Sequence, residues 1–229
     1  MGTVGNAARW ALGISLALLI LGLPGLYYRY TYEHAKRLRV VSEGKFYRSG
    51  QLPAAGFRDA VAKYKIGTVI NLQEEARDPL IPVRAFGKPA VRQSEVLAGL
   101  NVRSVALDGG VLEDDPQPGQ RPAVIDDFLE VVDGIRDGYW DAGKPHAILI
   151  HCKAGLHRTG LLTAIYRLEY EDRGLPEVIG ELKANGFGTY AATDANDYIK
   201  RFLLDYRKGV RRPGGKSVKP GPKPEGGTP

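Results

Sequence analysis

The distribution of apolar and polar positions divides the chain into three stretches. From Trp10 to Tyr28 (WALGISLALLILGLPGLYY) nineteen residues pass without a charge. As a helix this run would span about 28 Å, close to the hydrocarbon thickness of a bilayer. Its apolar residues form no one-sided stripe, which sets it apart from a helix packed on a soluble core. Further on, short β-rich apolar runs alternate with helical periodicity. GTVINL (67–72), VRSVAL (102–107) and HAILIH (146–151) predict strands, and apolar spacings of three and four predict helices around 53–65, 89–99, 121–138, 160–172, 175–184 and 193–206. Such alternation predicts an α/β sandwich with a central, largely parallel sheet flanked by helices. From Gly209 onward Pro, Gly and Lys dominate and no apolar period remains, so residues 208–229 read as a disordered basic tail.

Charge sharpens this division. Of the net +6, residues 1–48 and 208–229 carry +5 each, which leaves the body at 49–207 with −4. The body therefore offers no overall basic face for nucleic acid. Arg9 alone precedes the apolar run, while Arg29, Lys36, Arg37 and Arg39 follow it, with Tyr27, Tyr28, Tyr30 and Tyr32 placed as an interfacial belt. The positive-inside rule then predicts a single-pass membrane protein with its body in the cytoplasm. A cleaved secretory signal is the alternative, but no A-x-A-like site follows the run. The expected organisation is a short segment 1–9, a transmembrane anchor 10–28, a basic juxtamembrane linker 29–37, a folded domain 38–207 and the tail 208–229. One cysteine in 229 residues excludes an intrachain disulfide and a CxxC or zinc-cluster reading. No metal or cofactor is expected, and the oligomeric state stays open.

That cysteine lies in HCKAGLHRTG, residues 151–160, directly after the apolar run Ala147–Ile150 and before the helical pattern LLTAIYRLEY. It is thus placed at the C-terminal end of a buried strand, in a loop leading into a helix N-terminus, where ligands bind in open α/β sheets. Successive N–H groups of a tight loop, together with the positive end of the helix, favour a phosphate and also favour a thiolate. Arg158 adds a planar fork suited to two phosphoryl oxygens, and Gly155 and Gly160 let the backbone turn and approach. A buried structural cysteine would account for Cys152 but not for His151, Gly155, Arg158 and Thr159 in this order. A Walker-type nucleotide loop is excluded, because G-x-x-x-x-G-K-[ST] is absent.

At these residues the chain resembles the cysteine-dependent protein-tyrosine and dual-specificity phosphatases, whose signature is H-C-x5-R-[ST]. His151, Cys152, Arg158 and Thr159 match it fully, and the resemblance extends over about 38–206. KFYRSGQL (45–52), GTVINL and the HRTG ending look like the atypical bacterial, fungal and plant branch. The resemblance implies a phosphatase that works through a phosphocysteine formed on Cys152. Lys153, Ala154, Gly155, Leu156, His157, Arg158 and Thr159 would bind the phosphoryl group. Arg158 would also stabilise the transition state, Thr159 would assist the sulfur as leaving group, and His151 would brace the loop.

Asp108, in L-D-G-G after the second strand, resembles the general acid, with Asp114 and Asp115 as alternatives. Arg48 and Arg77 could help with an anionic substrate, although surface ion pairing accounts for each. The implied substrates are phosphorylated protein side chains. Inositol phosphates, inositol pyrophosphates or phosphoinositides are the alternative, and a non-catalytic phosphate-binding module is a third reading.

Overall fold

The run AILIH forms a strand with all five residues buried, and the architecture is arranged around it. The computed structural model describes residues 3–84, 90–108, 123–138, 146–188 and 198–211. Strands β1 (Arg39–Ser42), β2 (Phe46–Ser49), β3 (Ile66–Asn71), β6 (Arg103–Ala106) and β7 (Ala147–His151) make one sheet in the order β1-β2-β7-β3-β6. Only the β1–β2 pair is antiparallel, while β7 lies parallel between β2 and β3. Two short strands, β4 (Leu80–Pro82) and β5 (Ala90–Arg92), pair separately.

The helices are α1 (Thr3–Ala17), α2 (Leu23–Arg29), α3 (Ala54–Tyr64), α4 (Gln93–Gly99), α5 (Ala123–Arg136), α6 (His157–Tyr170), α7 (Leu175–Ala184) and α8 (Tyr198–Asp205). Successive residues of a strand face opposite sides of the sheet, and β7 shows what that does here. Ile148 and Ile150 enter one apolar layer with Phe128, Leu129, Leu161 and Ile165, whereas Ala147 and Leu149 enter the other with Phe57, Ala60 and Leu97. Helices therefore cover both faces, the requirement for a parallel sheet without alternating polarity. The α/β sandwich with a largely parallel sheet is the fold that the periodicity predicts.

The N-terminal helical run passes through two π turns, Leu18–Gly22 and Tyr30–His34, and continues beyond Tyr28 to His34. Asn6–His34 is one helix long and apolar enough to cross a membrane. Its side chains are not covered by the body, with Trp10 74% and Leu21 73% exposed. Its C-terminal end docks on α3, where His34 Nε2 lies 2.7 Å from Asp59 Oδ2 and a Cβ at Gly56 would run into the His34 carbonyl. A tight turn follows, closed by Leu38 N–H donating to Ala35 O at 2.6 Å, and leads straight into β1.

Candidate active site

The four mutually parallel strands end on one edge, and each delivers a residue of the predicted site or its support. His151 closes β7 with Cys152 next to it, Ser49 closes β2, Asn71 closes β3, and Leu107–Asp108 follow β6. Cys152 is buried, and its sulfur accepts the Gly155 N–H at 3.2 Å. The loop turns at Gly155, which has φ +73°; a Cβ there would lie 2.5 Å from Gly50 N and 2.7 Å from Ser49 O. Glycine is thus required twice over, by conformation and by the close approach of β2.

Helix α6 begins at His157, so Arg158 and Thr159 occupy its first turn and the positive end of its dipole faces the loop. Arg158 Nη1 donates to Leu72 O at 3.2 Å and to Glu75 Oε2 at 3.0 Å. The Glu75 carboxyl is held below its ordinary range by its own backbone N–H and then by Arg158. Thr159 Oγ1 and Ser49 Oγ are buried without a hydrogen-bond partner among the described residues. Lys153 is exposed, while Leu156 is buried beneath the loop. His157 packs edge-to-face on Phe187 at 5.9 Å, and burial, then Arg158 and Arg37, lower its basicity.

The Ala154 carbonyl points away from the sulfur, and three loop carbonyls are each capped by a donor from a neighbouring segment. Gln51 N–H donates to Lys153 O at 3.3 Å, Arg37 Nη1 to Ala154 O at 2.9 Å, and Arg48 Nη2 to Gly155 O at 2.8 Å. Arg48 is 3% exposed, so the surface ion pair expected for it is replaced by a buried contact with the loop. Burial lowers its pKa to about 10, which leaves it charged at neutral pH. Arg77 is the surface residue it was expected to be. It pairs with Asp108 at 3.5 Å, and both side chains are more than half exposed. The segment after β3 thus reaches both Arg158, through Glu75, and Asp108, through Arg77. Asp114 and Asp115 lie outside the described residues.

Behind the loop runs a chain of side-chain amides that the periodicity gave no sign of. Gln93 Nε2 meets His151 Nε2 at 3.1 Å, Gln51 Nε2 donates to Gln93 Oε1 at 3.0 Å, and Gln73 Nε2 donates to Gln51 Oε1. Gln73 N–H in turn donates to Asn71 Oδ1 at 3.0 Å, and Asn71 Nδ2 donates to Ala76 O at 2.8 Å. His151 is fully buried at one end, where desolvation pushes its pKa down to about 3. No cluster of three or more His, Cys, Asp or Glu able to hold a metal occurs among the described residues.

A family model described as the tyrosine phosphatase family matches residues 30–168. Among solved structures, the Siw14 catalytic core is similar with 19% identity and a TM-score of 0.51, covering 75% of this chain and 85% of that one. The core catalytic domain of the PP-IP phosphatase SIW14 from S. cerevisiae, in complex with citrate, gives 20% identity and a TM-score of 0.50 over 75% and 86%. TpbA from P. aeruginosa gives 22% identity and a TM-score of 0.47 over 73% and 85%. No curated protein matches the sequence.

Proposed function

The chain belongs to the tyrosine phosphatase family, and from that membership we propose that it is a membrane-anchored phosphatase that hydrolyses phosphomonoesters of protein side chains. The observation that carries this reading is a buried thiol accepting a loop N–H, with an arginine in the first turn of the next helix. In the first step Cys152 Sγ, as thiolate, attacks phosphorus in line. The P–S bond forms as the P–O bond to the leaving group breaks, and Asp108 gives that oxygen its proton. Water then attacks the phosphocysteine and passes a proton to Asp108. The sulfur departs with its electron pair, assisted by the hydroxyl of Thr159. Arg158 and the loop amides of residues 153–158 hold the equatorial oxygens through both steps. The positive-inside pattern of Arg29, Lys36, Arg37 and Arg39 against Arg9 supports a cytoplasmic catalytic domain.

A second substrate class, inositol polyphosphates or pyrophosphates, is favoured by one feature. Lys36 lies close enough to Lys153 to be acted on by its charge beside the loop, and a multiply phosphorylated ring would engage such basic side chains. The PP-IP phosphatase SIW14 shares the fold.

Phosphate release by the full chain in detergent, measured between pH 4 and 8, tests the reading on p-nitrophenyl phosphate, a phosphotyrosine peptide and inositol polyphosphates. Cys152→Ser is expected to be inactive. Asp108→Asn should lower kcat by about two to four orders of magnitude and remove its dependence on an acidic group. Full activity in that variant moves the acid role to Asp114 or Asp115. Wild-type silence on every substrate, with phosphate still bound, would leave a phosphate-binding module instead of an enzyme.

A further inference from the structure

A trans peptide unit is planar, so its N–H points away from its C=O. Capping the carbonyls of Lys153, Ala154 and Gly155 from outside therefore turns the N–H groups of Ala154, Gly155 and Leu156 to the opposite side of the loop. For one unit the consequence is directly visible. Arg37 Nη1 grips Ala154 O at 2.9 Å, and across the same peptide the Gly155 N–H meets Cys152 Sγ at 3.2 Å. The next unit is gripped in the same way by Arg48 at Gly155 O, 2.8 Å away.

We propose that Arg37 and Arg48 are positioning residues for Cys152: two guanidiniums outside the loop fix and polarise successive peptides, so that their N–H groups face the sulfur and the incoming phosphoryl group. The proposal rests on the phosphatase reading for its meaning and on the loop geometry for its content. Each arginine is held for the purpose at some cost. Arg48 lies buried in β2, where desolvation works against its guanidinium. Arg37 has φ +52°, in the left-handed region that non-glycine residues seldom occupy. Its turn is tied down by Gly50 N–H donating to Lys36 O at 2.8 Å. Glycine would fit that backbone more easily but could not reach Ala154. A charge-assisted hydrogen bond also strengthens the dipole of the peptide it grips, which favours negative charge at the sulfur.

Arg37 comes from the turn that immediately follows the apolar helix, so the helix end and the reacting centre are joined through one side chain. Among the described residues, the other charged or titratable groups around the loop and the two arginines include Lys36 of the same turn, Arg39 of β1, Glu75 after β3, His151 of β7, Lys153, His157 and Arg158 of the loop and α6, and Glu181 of α7.

The single cysteine makes the test direct, because alkylation of the full chain by iodoacetamide, followed by intact mass, reports Cys152 alone. Full chain in detergent is compared as wild type, Arg37→Met, Arg37→Lys and Arg48→Lys, with melting temperatures as a check on folding. Arg37→Met is expected to lower the alkylation rate at pH 6, relative to that at pH 9, about tenfold. Arg37→Lys should recover part of that loss, and Arg48→Lys should move the ratio in the same direction as Arg37→Met. The value of kcat/KM on p-nitrophenyl phosphate should fall in parallel. A wild-type ratio in folded Arg37→Met overturns the proposal, whatever Arg48→Lys does. Absence of turnover in the wild type would instead defeat the phosphatase reading, while the alkylation ratio still decides on the two arginines.

Discussion

His151 immediately precedes the only thiol of the chain, fully buried, with Gln93 on Nε2 at 3.1 Å and the Phe57 ring edge-on at 5.6 Å. Burial outweighs a backbone hydrogen bond at Cys152 and lowers the pKa from the ordinary 6.5 to about 3. The consequence for stability has a definite sign. Above pH 6.5 the histidine is neutral in both the folded and the unfolded chain, and the folded state loses nothing. As the pH falls through the interval from 6.5 to 3, the unfolded chain binds a proton that the folded one refuses. Stability is then lost by about 1.4 kcal/mol per pH unit. Urea unfolding at pH 7.5 and pH 5 should show wild type losing about 2 kcal/mol more than His151→Gln, which has no such proton to bind. Parallel losses in the two proteins would mean that His151 is not excluded from protonation.

Between β3 and β4 one short segment carries both Glu75, which holds Arg158, and Arg77, which pairs with Asp108. Asn71 fixes that segment, because its amide donates to Ala76 O at 2.8 Å and Arg77 O at 3.2 Å and accepts Gln73 N–H at 3.0 Å. Asn71 is fully buried, so Asn71→Ala leaves backbone groups without partners, at about 1–3 kcal/mol for each that stays dry. We expect folding stability to fall by a few kcal/mol. Activity on p-nitrophenyl phosphate should fall about tenfold or more, since the surroundings of Arg158 and Asp108 are disturbed together. Urea midpoints and kcat/KM measured on the same preparation check this, and wild-type kcat/KM in the folded variant would detach the segment from catalysis.

These elements also show what a sequence can and cannot reveal. The strand predicted at 146–151 and the helix predicted around 160–172 correspond to Ala147–His151 and His157–Tyr170, because a continuous apolar run and a sustained helical period are local signals, although they do not fix the ends of an element. The loop motif was legible because its chemistry depends on residue types at fixed spacing. The pairs β1–β2 and β4–β5 were not. Their strands have three or four residues, and β2 buries Arg48 and Ser49 as deeply as Phe46 and Tyr47, so polarity there reads falsely as exposure. The amide chain is equally hidden: Gln93 meets His151 across 58 positions, and Gln51 meets Gln93 across 42.

At the scale of the whole molecule, the apolar helix does not hang from the domain on a free linker. Residues 30–34 are still helical, His34 pairs with Asp59, and the next three residues deliver Lys36 and Arg37 to the edge of the sheet where the loop lies. With this helix in a bilayer, as proposed above, its docked end would hold the catalytic edge close to the membrane surface. Gly56 is a point at which this coupling can be broken without substituting any residue of the loop or of the helix. Its missing Cβ makes room for the His34 carbonyl, and any larger residue must push the helix end away. Gly56→Val should therefore fractionate with membranes as the wild type does, because residues 6–34 are unchanged. Displacement of the turn would pull Arg37 away from Ala154, and alkylation of Cys152 at pH 6 should slow about tenfold relative to pH 9, as in Arg37→Met. Membrane retention with undiminished alkylation would show that helix and loop are neighbours without being mechanically joined. Retention with slowed alkylation would make the position of the anchor a determinant of the reactivity of the thiol.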